Sequence, residues 1–220
     1  LAAIDTSAWT LAERNDYRIV EAELNGLDFD HRVLRPWAND PSFYVMGLDS
    51  ESDVPAREGP VHLAAIDLWK YTPPLPAKDA AMVQARLAVI PRVLDQARLN
   101  LVGDIHDLWM IGVRNAASQK DLFEAFAKTA RPAHPELAEE AMKAAAAFDR
   151  FGAWLQERLP QKKGRAGVGI ANYDWYMKHV HLSPYTFADE VLLMERELSR
   201  ARAYLALAEN DNRKLPPASA

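Results

Sequence analysis

Apolar positions recur along this chain in alternating steps of three and four, the spacing that puts side chains on one face of a helix. Between Pro135 and Pro160 the rhythm is kept by Leu137, Ala141, Ala144, Phe148, Phe151 and Leu155, with Leu159 a further step of four on, which predicts an amphipathic helix bounded by prolines. After Pro76 the same stepping runs through Val83, Leu87, Ile90, Leu94, Ala97 and Leu101. Pro91 lies inside that run and lacks the N–H of an intrahelical bond, so a local bend or break is expected there. A third stripe joins Phe187, Val191, Met194, Leu198, Ala201, Leu205 and Ala208, with Thr186 and Asp189 spaced as an N-terminal capping pair. Tyr17, Val20, Leu24, Leu27, His31 and Leu34 mark an earlier helix that stops at Arg35-Pro36. Gly26 weakens that helix by about 1 kcal/mol relative to alanine. Residues 104–130 read as one more helix, with Ile105, Leu108, Trp109, Leu122, Phe123 and Phe126 as its apolar content.

No long alternating run bounded by turn residues predicts strands. The expected architecture is therefore all-α, a single region over 1–220 of roughly six or seven helices packed antiparallel as a bundle. Segments 37–60 and 161–169 read as irregular loops, and 211–220 as a tail or linker with Pro216-Pro217 as its helix stop. The first loop is too long and too aromatic for a passive linker and is expected to pack over the helices. The second, QKKGRAGVG, follows no strand and has its glycines in the wrong order for a dinucleotide site, so it reads as a mobile surface loop.

Length and composition narrow the function. A chain of 220 residues can bury one sizeable core or two small ones. With 31 acidic and 26 basic side chains the net charge is -5, which offers no basic footprint for nucleic acid. No apolar run approaches the roughly 20 residues of a membrane span. The chain starts at Leu1 without a signal-peptide pattern, so the natural N-terminus is expected upstream or removed. The absence of cysteine excludes a disulfide scaffold, a thiolate metal site and a cysteine nucleophile, and leaves the compartment open.

Candidate chemistry is sparse. His179 and His181 are the close histidine pair. Two residues apart on a helix they would face different ways, so they could share a metal only where the chain leaves the helix, as Ser183-Pro184 permits. A third ligand would still be needed, so the first reading is a helix-end pair making hydrogen bonds. Asp104, His106 and Asp107 sit at a helix start, where acidic residues complement the dipole. His31, on an apolar stripe, reads as a core histidine; His62 and His134, beside prolines, read as exposed. No serine has the nucleophile-elbow setting, and Glu139-Glu140, Glu195 and Glu197 lie on helix surfaces. No catalytic residue is assigned. In the aromatic stretch before the last helix, Tyr173 and Tyr176 share a face and Asp174 and Lys178 are spaced to pair. Burial of Trp175 or Met177 would leave the tyrosine hydroxyls and Asn172 for a partner or substrate.

Residues 167–217, GVGIANYDWYMKHVHLSPYTFADEVLLMERELSRARAYLALAENDNRKLPP, carry a family resemblance. The glycine lead-in at Gly167 and Gly169, the Tyr173–Tyr176 helix, the Pro184–Thr186 turn and the long acidic helix from Ala188 resemble the bacterial domain of unknown function 885 family. RPWANDPSFYV at 35–45 and ARLAVIPRVLDQARLNL at 85–101 extend the likeness over most of the chain, as the family's N-terminal part. Members are similar to helical zinc peptidases with an HExxH motif, in which two histidines bind zinc and the glutamate activates its water. No HExxH occurs here, so the resemblance implies that the zinc and its ligands belong to sequence beyond Ala220. It implies one half of a larger channel-type fold, with the C-terminal half as partner and a peptide as substrate. Asn172, Tyr173, Asp174 and Tyr176, with Arg35, Trp37, Ser42, Phe43 and Tyr44, would line or brace the channel and orient substrate. It also implies an exported or periplasmic protein. The competing reading is a free-standing helical module that binds a partner or ligand without catalysis. A missing half would leave an apolar contact face uncovered, whereas a complete module would fold cooperatively as a monodisperse species.

Overall fold

The computed structural model describes residues 4–51, 64–213 and 215. In chain order the helices are α1 (Leu11–Phe29), α2 (Pro36–Asn39), α3 (Ala77–Asn100), α4 (His106–Ala130), α5 (Pro135–Arg158), α6 (Ile170–His179) and α7 (Phe187–Asn212). The fold is all-α and bundle-like; among the described residues the strands are a two-residue parallel pair, β1 (Gly47–Leu48) with β2 (Ile66–Asp67). The chain divides into a central unit, 34–167, and a terminal unit built from 1–33 with 168–220.

The central unit holds the large core. Leu137, Ala141, Ala144, Phe148, Phe151 and Leu155 of α5 are all at most 2% exposed, so the stepping that predicts the helix also selects its buried face. Ala138, Ala145 and Ala147 are buried beside them, and these small side chains let α4 approach closely. The turn 131–134 joins α4 to α5 as a helical hairpin. Phe123 of α4 stacks on Phe148 of α5 at 5.7 Å, and Trp109 meets Trp154 at 5.5 Å. In α3, Val83, Leu87, Ile90, Leu94 and Ala97 are at most 1% exposed.

Pro91 does not break α3, which runs unbroken from Ala77 to Asn100. The missing N–H bond is offset by burial of the stripe on both sides of it. His134 is half-buried rather than exposed: its Nε2 accepts the backbone N–H of Leu75 at 2.8 Å. His62 lies outside the described residues. Loop 161–169 is tied down in part. Gly164 N–H donates to Asp104 O at 2.7 Å, His106 N–H to Gly164 O at 3.0 Å, and Lys163 N–H to Asp104 Oδ1 at 3.0 Å. Asp104 thus serves the loop, and α4 starts without a side-chain cap.

In segment 37–51, Ala38, Pro41, Tyr44 and Met46 are buried. Gly112 of α4 makes room for this segment, since a Cβ there would lie 2.4 Å from Pro41 Cβ.

The terminal unit is different in kind. α1 turns Ala22 and Phe29 toward cover, and Phe29 stacks on Trp175 of α6 at 5.8 Å. Its predicted stripe is on the other side: Val20, Leu24 and Leu27 are 50%, 48% and 55% exposed. His31 is exposed with them rather than in a core, because the face that meets α6 is not the face that carries the stripe. Neither α6 nor α7 contains a buried residue.

Candidate functional site

The aromatic stretch of α6 is placed by two backbone devices. Gly169, with φ 84 and ψ 154, occupies a conformation open essentially to glycine alone and turns the chain into α6. At the other end Ser183 N–H donates to Met177 O at 2.8 Å and Val180 N–H to Tyr176 O at 2.8 Å, so two of the last carbonyls are satisfied. Thr186 then opens α7 with a complete capping box, its hydroxyl accepting Asp189 N–H while Asp189 Oδ2 accepts the N–H of Thr186 at 2.9 Å.

Most polar groups of the stretch serve this junction. Asp174 does not pair with Lys178; its Oδ1 accepts the N–H of Phe187 at 2.6 Å, which joins α6 to the first residue of α7. Tyr173 meets the Phe187 ring edge-on at 5.6 Å. Asn172 donates to Val168 O at 2.9 Å. Tyr176 packs on Phe29 at 4.8 Å and on the His181 ring at 5.1 Å. Burial raises the pKa of its hydroxyl, and the charges of Asp30 and Glu23 add to the shift. Trp175 is half-buried, between Phe29, the His179 ring at 4.9 Å and the Arg32 guanidinium at 5.2 Å.

The two histidines therefore stand on different aromatic partners. His179 closes α6 and its carbonyl accepts from Asn25 Nδ2 at 3.2 Å, while His181 lies beyond the helix. Among the described residues no group of three or more histidine, aspartate or glutamate side chains is placed to hold a metal ion.

The other candidates belong to the central unit. Arg35, with φ 45, presents its carbonyl to the N–H groups of Ala38 and Asn39 and so starts α2. Tyr44 is 2% exposed; its hydroxyl donates to Trp37 O at 2.8 Å and accepts from Asn100 Nδ2 at 3.0 Å. Phe43 lies edge-on to Tyr44 at 5.3 Å. Ser42 Oγ accepts from Asn115 Nδ2 at 3.0 Å. Tyr44 is thus a brace for segment 37–44.

The pattern of periodicity did not single out the cleft beside β1, of about 510 Å³. Asp49, Glu51 and Asp67 line it with Trp69, Asn115, Ser118 and Gln119. Lys70 pairs with Asp67 and lies 4.8 Å over Trp69, so one of the three carboxylates is neutralised within the unit. At its floor Gln119, 6% exposed, accepts the N–H groups of Met46 and Gly47 at 3.0 and 2.7 Å and donates to Gly47 O at 2.8 Å. The sequence did carry a signal for Gln119. It stands between Ala116 and Phe123 on the buried face of α4, where steps of three and four call for an apolar residue. Asp49 and Glu51 suit the cleft to polar or cationic groups.

On the terminal unit the outstanding feature is uncovered apolar surface. Along α7, Val191, Met194, Leu198 and Leu205 of the predicted stripe are 41%, 68%, 51% and 58% exposed. No protein-family model, no curated protein and no solved structure matches the chain.

Proposed function

We propose that this chain supplies the N-terminal helical portion of a zinc-dependent peptidase-like protein of the domain of unknown function 885 kind. It forms one wall of the substrate channel and leaves zinc binding and peptide hydrolysis to an HExxH helix outside these 220 residues. The observation that carries the reading is the uncovered stripe of α7, a long helix with no buried residue, whereas Val83 to Ala97 of α3 and Leu137 to Leu155 of α5 bury theirs. Such a face is the expected contact surface of a half that is not part of this chain. On this reading the tyrosine edge of α6 orients substrate. The motif residues Gly169, Asp174 and Thr186 set the angle at which α7 leaves the junction.

The test is to read the coding frame past Ala220 and assay both lengths of protein. The expected result is an open frame with an HExxH helix, no peptide hydrolysis by the 220-residue chain with added zinc, and chelator-sensitive hydrolysis by the longer polypeptide. A stop codon directly after Ala220, or hydrolysis by the short chain alone, overturns it. In the longer protein Tyr173→Ala should impair substrate use without releasing metal. The alternative, a helical binding module without catalysis, draws on the same uncovered stripe, and the stop codon would favour it.

A further inference from the structure

The stripe of α7 keeps strict steps of four and three from Phe187 to Ala208, the spacing of a seam that packs against another helix. In heptad terms Val191, Leu198 and Leu205 take one core position and Met194, Ala201 and Ala208 the other. The positions flanking that seam are then Glu190, Glu195, Glu197, Arg202, Tyr204, Glu209 and Asp211. Five of these seven are acidic, and although Arg200 pairs with Glu197 at 2.7 Å, the other four acidic residues would border any helix laid on the seam. The stripe of α1 has the same chemistry: Glu21, Glu23 and Asp28 flank Val20, Leu24 and Leu27.

Charge decides what can cover such a seam. A second copy docked through α7 would set acidic flank against acidic flank, and α1 of a second copy would do the same. A helix with lysine and arginine beside its apolar stripe would meet opposite charge along both edges. We infer that the apolar seam of α7 docks an amphipathic helix whose own apolar stripe is flanked by lysine and arginine. The inference rests on the reading above in taking that helix from the remainder of the same polypeptide, and it specifies what that helix must look like.

The experiment uses two labelled synthetic helices with identical leucine heptads, one with lysine and one with glutamate at every flanking position. Each is titrated with the 220-residue chain and followed by fluorescence anisotropy. The lysine-flanked helix should bind at least about tenfold more tightly, and its affinity should fall as salt is raised. Leu198→Glu should abolish the binding. Leu198 is 51% exposed, so the variant folds, and its added negative charge would strengthen any merely non-specific attraction to a basic peptide. Equal affinity for the two helices, or no binding of either, overturns the inference. So does self-association of the chain in sedimentation that Leu198→Glu abolishes, since that makes a second copy the occupant. Failure of the underlying reading shows separately, as a stop codon after Ala220. An open frame with HExxH but no lysine preference overturns the inference and leaves the reading intact.

Discussion

Asp174 on α6 accepts the backbone N–H of Phe187, the first residue of α7, across 2.6 Å. A helix start leaves several N–H groups without intrahelical partners, and here one is satisfied from the preceding helix while Thr186 and Asp189 satisfy others. Since α7 buries no residue, these bonds, rather than packing, fix where it begins. Asp174→Ala should therefore cost about 1 kcal/mol or less of global stability, in the range of a lost cap. It should also speed hydrogen exchange selectively at the amides of Phe187 and Ala188. Asp174→Asn keeps an acceptor and should exchange nearly as slowly as the parent. Uniform exchange in all three proteins would remove the capping role.

Gln119 closes three backbone groups at once, at Met46 and Gly47, and all of them are sealed from water with it. Gln119→Leu fits the apolar stripe of α4 but orphans two donors and an acceptor. At about 1–3 kcal/mol for each unsatisfied group, the variant should lose more than about 3 kcal/mol. Urea denaturation monitored by tryptophan fluorescence measures this, and a loss under about 1 kcal/mol would mean that β1 relaxes to find other partners.

The three long helices of the central unit were legible because a deep core enforces the rhythm it requires: Leu137 to Leu155 alternate by three and four and are all buried. The ends were legible where local chemistry sets them, as at Thr186 and Asp189. Pro91, where local propensity argued for a bend or break, leaves α3 unbroken because burial of the flanking stripe outweighs the lost bond. His31 was misjudged for a different reason. The same spacing marks an apolar stripe whether or not anything covers it, so periodicity on α1 could not say that its stripe would be exposed. The candidate residues divided along similar lines. Asp174 and Tyr44 were recognisable as polar groups in aromatic settings, yet their partners, Phe187 N–H and the carbonyl of Trp37, depend on turns that no spacing rule specifies. The cleft beside β1 was not found because its walls come from 45–51, 67–69 and α4, segments that only the fold brings together.

Asp40 carries a pH signature. Its Oδ1 accepts Ser42 N–H at 2.8 Å, but burial raises its pKa above the ordinary 3.8, and the bonds to Ser42 only partly offset that. A carboxyl whose folded pKa exceeds its unfolded one binds its proton more tightly in the native state. Its contribution to stability is therefore greatest at low pH and falls as pH rises from 3.8 through the folded value. Asp40→Asn keeps the acceptor for Ser42 and removes the buried charge. The variant should be at least as stable as the parent at neutral pH, and its advantage should vanish below 3.8. Urea midpoints at the two pH values decide it; a variant less stable at neutral pH would show that the charge on Asp40 stabilises the fold.

Leu155 and Leu198 occupy equivalent places in two stripes of the same rhythm, one 0% and the other 51% exposed. If burial, rather than pattern, is what stabilises this chain, the same truncation should have unequal effects. Leu155→Ala removes a side chain packed in the core and should cost about 2–5 kcal/mol. Leu198→Ala removes one that meets mostly water and should stay within about 0.5 kcal/mol. Chemical denaturation of the two variants measures the contrast in the chain as it stands. A cost at Leu198 comparable with that at Leu155 would mean that the α7 stripe is already covered in solution, by another copy or by the chain itself. The uncovered face on which the proposed function and the docking seam both depend would then not exist. A negligible cost in the short chain that becomes a core-like cost in the longer polypeptide would instead place the missing contact on the seam of α7, because only burial acquired from added sequence could change the penalty.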